Sequence, residues 1–342
     1  MNKDIKEIAW DVSEDVYRSD AALSYSLLSR YEKVGFSGLD SLFEKQESES
    51  LLFGSLVDTI ITQPDEFSNR YFIVDSIPSG TIQDIVEKIF EVFSNENSLS
   101  DIADSAIVEF AKDYQPNWKD ETKAKKIREG GESYFQLLKE AKGKIIIPRS
   151  LYQEASDVKQ ALFNAPLISS YFCGPQDGVL RYNQLKFKTF LNGIEYKCMF
   201  DLLCVNYNDK WILPVDLKTT SFPEYEFYKR YLECRYDIQS KLYWRILNKR
   251  LKEDDYFKDF KLYNFQFVCI NKHILNPIAW YDDSCTSITD LTYTTKTNRK
   301  IILRDPETIG QELAYYLANK PKSPEGIVEN KPNSITNWIN KM

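Results

Sequence analysis

Trp211-Ile-Leu-Pro-Val-Asp-Leu-Lys218 is the stretch whose reading decides the fold. Its apolar run reads as a buried strand, and alternate residues of a strand share a face. Asp216 and Lys218 therefore project side by side from the strand's end. Fifteen residues earlier, Asp201 interrupts a second apolar run, Met199-Phe-Asp-Leu-Leu-Cys-Val205. An unpaired carboxylate in such surroundings is costly to bury. A polar turn at 206–209 joins the two strands, so their pairing can bring Asp201 close to Asp216.

Around this pair the period is two. Leu185, Phe187 and Thr189 alternate with Lys186 and Lys188, and Asn192-Gly193 is a hairpin signal. The return strand covers 194–205, with Lys197, Met199, Asp201 and Leu203 expected on one face and Cys198, Phe200 and Leu202 on the other. A third strand covers 210–219, followed by a long helix over about 224–249. Strands are expected at 262–271 and 278–282, then a helix near 306–318. Upstream the patterning is helical: a serine-capped helix at 23–28, a helix over 49–61 stopped at Gln63-Pro64, further helical patterning through 81–140, and a helix over 152–163.

This organisation predicts a single mixed α/β domain over 1–342. Residues 1–170 form its mainly helical part, 178–290 a sheet-centred core, and 300–342 a C-terminal helix and tail. Composition narrows the chemistry. The 342 residues are 43% hydrophobic and 28% charged, which is ample core material for a soluble protein. Neither a membrane span nor a signal-peptide core is visible, so a cytoplasmic protein is expected. The six cysteines include no CxxC pair and His273 is the single histidine. Zinc fingers, four-cysteine iron–sulfur clusters and Ser-His-Asp catalysis have little to work with. Carboxylates and lysines must carry the chemistry.

The net charge of −7 argues against non-specific coating of nucleic acid but leaves room for a local basic channel. The densest positive run, Trp118 to Arg128, reads either as phosphate contacts or as a solvated helix face.

Two carboxylates at one site repel unless a cation sits between them. Magnesium suits such hard oxygen ligands, and its charge favours a water nucleophile and the phosphate oxygens it attacks. Lys218 then orients or deprotonates the water, or acts as a cation in the transition state. On the following helix Tyr236, Gln239 and Tyr243 fall at i, i+3 and i+7 on one face. Gln239 either reaches a phosphate or a metal-bound water, or is a polar residue in a tyrosine-lined packing face. Asp58, amid Leu, Val and Ile, reads on its own as a solvent-facing helix residue. A DxK triplet alone is common at strand ends; Asp201 gives this one its weight.

These residues resemble the PD-(D/E)xK nuclease superfamily, in particular phage exonucleases of the RecE and lambda-exonuclease kind. The similar segments appear in the family's order. They are Leu23 to Ser29, Phe53 to Phe67, Lys197 to Asp201, Pro214 to Thr220 and Tyr236 to Tyr243. The resemblance implies a restriction-endonuclease-like core with helices on both faces, two magnesium or manganese ions, and hydrolysis of duplex DNA from its ends in the 5′→3′ direction. It also implies a ring-like homo-oligomer and a single-strand annealing protein as partner in recombination. Carried over by position, Asp201 and Asp216 are metal ligands, Lys218 activates water, and Gln239 and Tyr243 support the site. Asp58 stands where the family usually has a metal-binding histidine, and a carboxylate suits magnesium. Competing readings are a RecB-like or CRISPR-adaptation nuclease, and a non-catalytic DNA-end-binding protein on the same fold.

Overall fold

The computed structural model describes residues 3–44, 46 and 48–319, so the expected tail at 320–342 lies outside the described residues. Contacts group the chain into two compact units, one of residues 63–156 and one of residues 1–62 with 157–342.

The chain opens with α1 (Glu14–Ser19), α2 (Tyr25–Val34) and α3 (Glu49–Thr62). Ser24 is the N-cap residue of α2, but its side chain makes no capping bond and meets Ser26 Oγ at 3.1 Å instead. α3 stops before Pro64, which has no N–H to continue the ladder.

The smaller unit holds α4 (Phe67–Arg70), β1 (Tyr71–Val74), α5 (Thr81–Phe93), α6 (Asp104–Phe110), α7 (Asp120–Ala141) and β2 (Ile145–Pro148). Its helices bury Ile85, Val86, Ile107, Ile127 and Phe135 together. Gly131 allows α7 its close approach, since a Cβ there would stand 2.5 Å from Val86 Cγ2. β1 and β2 pair in parallel. Both are four-residue apolar runs, too short for periodicity to tell strand from helix, and the sequence reading passes over them.

α8 (Arg149–Asn164) spans the boundary in sequence, and α9 (Ser169–Phe172) precedes the main sheet. That sheet contains β3 (Val179–Leu191), β4 (Ile194–Asn206) and β5 (Trp211–Thr220). α10 (Phe227–Cys234) and α11 (Tyr236–Lys252) follow, then β6 (Lys261–Leu262), β7 (Gln266–Asn271) and β8 (Ile278–Tyr281). β9 (Leu291–Thr294) and β10 (Lys300–Leu303) form a separate antiparallel pair before α12 (Pro306–Ala318).

The strand order is β3-β4-β5-β7-β8, with β6 beside β5. The β3–β4 hairpin turns at Asn192 and Gly193, whose φ values of 48° and 82° suit the two-residue turn that matches strand twist. β5 and β7 are parallel, which requires the long crossover that α10 and α11 supply. On one face α11 buries Ile238, Leu242 and Ile246 against Phe187, Phe200 and Phe267 of the sheet. On the other, Arg181 and Cys204 donate to the Tyr171 carbonyl of α9 at 3.0 and 3.8 Å. The mixed sheet with helices on both faces is the architecture the sequence implies.

Two local expectations need correction. The helix expected over 224–249 is two helices, because Arg235 adopts a left-handed φ of 55° between them. Its guanidinium grips both oxygens of Asp237, at 2.9 and 3.0 Å, and pairs with Glu32. The regular alternation along 194–205 also fails. Cys198, Phe200, Leu203 and Val205 all join one core, so the phase slips between Phe200 and Leu203.

β3 slips at the same step. Tyr182 and Phe187 are core residues and Leu185 packs against them. Tyr182 pairs with Leu203, and Leu185 with Phe200, so each strand carries one extra residue between two core pairs. Asn183-Gln184 and Asp201-Leu202 fill the interval, and the Gln184–Asp201 rung is missing from the ladder. A period-two reading assumes an unbroken pleat, and an inserted residue reverses every face beyond it.

Candidate active site

β4 and β5 pair from Asn206 with Trp211 as far as Leu202 with Val215. The next rung would set Asp201 opposite Asp216, the register that the turn at 206–209 allows. The ladder ends there instead. The Leu217 N–H donates to Asp201 Oδ2 at 3.1 Å, so a carboxylate stands where a strand carbonyl would otherwise be. β5 continues by pairing with β7, from Val215 with Gln266 to Thr220 with Asn271.

Asp216 is buried, with 2% of its surface exposed. Gln239 Nε2 donates to its Oδ1 at 2.6 Å. Lys218 Nζ lies 2.5 Å from Oδ2 as a close ion pair. Gln239 Oε1 is buried without a hydrogen-bond partner. The Lys218 ammonium sits 4.8 Å from the centre of the Tyr236 ring, a cation–π contact on its other side.

Asp58 is not the solvent-facing residue that its helix suggests; it is half-buried. Gly54, one turn earlier on the same face of α3, lies against β5, where a Cβ would be 3.4 Å from Thr219 Oγ1. The Thr62 hydroxyl lies 2.9 Å from the Asp58 carbonyl and 3.2 Å from Asp58 Oδ1, its one proton shared between them, and Gln184 Nε2 donates to Oδ2 at 2.8 Å.

These groups act on one another electrostatically. Burial pushes the Asp58 carboxyl up to about 7, with the Asp216 charge adding to the rise while the Thr62 hydrogen bond and Lys218 oppose it. Asp201 is held well above the ordinary carboxylate range, first by burial and then by Asp216 and Asp58. Burial works against the Lys218 ammonium, but Asp216, Tyr236 and Asp201 outweigh it and keep its pKa above that of an ordinary lysine. Three carboxylates thus face one lysine, a local excess of negative charge in a poorly solvated place.

Among the described residues no three His, Cys, Asp or Glu side chains already stand as a metal-ligand group, and Asp216 is engaged by Lys218 and Gln239. The donors nevertheless fit a hard divalent cation. They are carboxylate and amide oxygens, and one buried acceptor, Gln239 Oε1, has no hydrogen-bond donor.

Tyr243 belongs to the packing beneath the site, its ring edge-on to Phe200 at 5.3 Å and to Phe265 at 6.1 Å. Gln184, Thr62 and Tyr236 are contacts that the sequence reading did not assign to the site. A signal for Gln184 was present: counting outward from the Asn192-Gly193 turn sets it opposite Asp201.

The basic run at 119–128 is a self-neutralised helix face. Lys123 is buried, Lys125 and Lys126 pair with Glu129 at 3.8 and 2.9 Å, and Arg128 binds the Leu99 carbonyl at 3.0 Å and Asp104 at 2.6 Å. A cavity of about 440 Å³ lies elsewhere, lined by Phe227, Tyr231, Trp280, Tyr293 and Asp282 among others. Its buried acid, Asp282, is already satisfied by the Tyr231 hydroxyl at 2.6 Å and the Ser284 N–H at 2.8 Å.

An Asp201 carboxylate beside the Asp216-Lys218 strand end is the arrangement that the resemblance implies. Residues 24–282 match the DUF3799 family, described as a PDDEXK-like domain of unknown function. The chain belongs to this family. It is therefore a PD-(D/E)xK nuclease-superfamily domain with a restriction-endonuclease-like fold. No curated protein matches the chain. Among solved structures it is similar to one from Eubacterium rectale named "Putative exonuclease", with 14% identity, a TM-score of 0.40, and coverage of 97% of this chain and 100% of that one. Among the described residues of this PDDEXK-like chain, no helix is long and apolar enough to cross a membrane.

Proposed function

We propose that this PDDEXK-like domain is a DNA nuclease that hydrolyses phosphodiester bonds with a divalent cation, magnesium or manganese. One observation carries the reading. Asp201 and Asp216 act on each other beside Lys218 in a poorly solvated site, where the buried Gln239 Oε1 has no hydrogen-bond donor.

Asp201 and Asp216 would hold the cation, with Asp58 as a third ligand. A bound cation supplies charge that stabilises the phosphate oxygens and makes an adjacent water more acidic. The protein's own groups do the rest. The Leu217 N–H fixes the orientation of Asp201, and Gln239 fixes Asp216. Lys218, kept charged by Asp216, orients the attacking water and offsets the charge that gathers on the phosphate.

The finer reading rests on the resemblance: two ions, degradation from duplex ends in the 5′→3′ direction, a ring-like homo-oligomer, and a single-strand annealing protein as partner in recombination. Incubation with linear and closed circular duplex DNA in magnesium tests both levels. An exonuclease consumes the linear substrate alone, an endonuclease consumes both, and 5′ or 3′ end-labels give the polarity. Binding of DNA ends with neither substrate cut would reduce the protein to a non-catalytic binder and overturn the nuclease reading.

A further inference from the structure

We propose that Gln184 is a positioning residue that carries Asp58 into the cation site. This rests on the nuclease reading and extends it to a residue with no assigned role. Eight described non-glycine residues have positive φ, and Gln184, at 55°, is the one that lies inside a strand. A side-chain-bearing residue is strained in that region and persists there only when its surroundings hold it.

Here the surroundings are the paired slip in β3 and β4. The two residues in the β3 interval, Asn183 and Gln184, both reach the last turn of α3. Asn183 Nδ2 donates to the Thr62 carbonyl at 3.1 Å, and Gln184 Nε2 donates to Asp58 Oδ2 at 2.8 Å. On the facing strand Asp201 turns to the Leu217 N–H. One missing rung therefore frees two side chains: Asp201 goes to the β5 edge, and Gln184 pins the helix carboxylate.

With Gln184 on Oδ2, and on Oδ1 only the Thr62 hydroxyl that it shares with the Asp58 carbonyl, the Asp58 carboxylate keeps acceptor capacity for a cation. Groups that orient a ligand in this way typically change metal affinity by about 10–100-fold when removed. A purely structural role for Gln184 would show in stability instead.

The experiment is a Mn²⁺ titration of the full-length protein by calorimetry, with thermal melts run alongside. Gln184→Gly removes the amide and relieves the left-handed strain. It should melt no lower than the parent yet bind Mn²⁺ about tenfold or more weakly. Gln184→Met keeps the length without the amide and should show the same loss of affinity, so the result does not depend on one variant folding. Unchanged Mn²⁺ affinity in folded variants overturns the role of Gln184 and leaves the nuclease reading standing. A parent protein that binds no Mn²⁺ overturns both.

Discussion

The Leu217 N–H donates to Asp201 Oδ2 at 3.1 Å, so the residue that ends the β4–β5 ladder is also the residue that opens the site. A backbone donor at that point fixes the carboxylate more firmly than a mobile side chain would. The same contact makes Asp201 testable apart from the fold, because an amide oxygen can accept the same bond.

Asp201→Asn is therefore expected to melt near the parent temperature while losing DNA cleavage by about a hundredfold or more. Circular dichroism melts and a magnesium-dependent digestion measure the two effects. Retained cleavage in a folded Asp201→Asn or Asp216→Asn protein would reject the assigned centre.

Gln239 makes a different kind of contribution. Its amide donates to a carboxylate that is almost wholly buried, so Gln239→Ala leaves Asp216 Oδ1 without that donor. The expected loss is about 1–3 kcal/mol of stability. Urea unfolding measures it, and a change within error would mean that another donor takes the place of Gln239.

Asp58 predicts a pH dependence. Its folded value of about 7 lies above the ~3.9 of an unfolded aspartate. Between those values the folded chain binds the extra proton, so stability should fall as pH rises from about 4 to about 7 in EDTA. Asp58→Asn should flatten that decline. An identical slope in the variant would assign the effect to other groups.

Divalent cation should reverse the penalty of gathering three carboxylates. A ligand that binds only the folded state adds about 2.7 kcal/mol at a hundredfold excess over its Kd. The melting temperature should therefore rise with Mg²⁺ or Mn²⁺ and fall back with EDTA. The rise should disappear in an Asp201→Asn, Asp216→Asn double variant. A shift that survives the double substitution would place the cation elsewhere.

Much of this domain was legible in one dimension. The Asn192-Gly193 hairpin, the strands on either side of the turn at 206–209 and the helix over 306–318 all follow from local period and turn chemistry. Such signals depend on neighbours within a few residues, which the chain order displays directly. The DUF3799 match covers the span from Ser24 to Asp282, and apart from Leu23 the motif segments lie inside it. What escaped was non-local or exceptional. β1 and β2 find each other across 70 intervening residues, the long crossover helix breaks at a left-handed Arg235, and the slip in β3 and β4 reverses faces that strict alternation assigns.

The sequence by itself, with a single histidine and no CxxC pair, left carboxylates and lysines as the candidates for the chemistry, and it set Asp216 and Lys218 on one side of a strand. Only the tertiary structure decided which side chains meet. Asp201 arrives because a ladder stops one rung short, and Asp58 turns inward because α3 lies on β5 at Gly54. Gln184 reaches α3 from a strained position within β3. Those outcomes depend on where separate elements pack, and packing is settled by the whole buried surface rather than by any local run of residues.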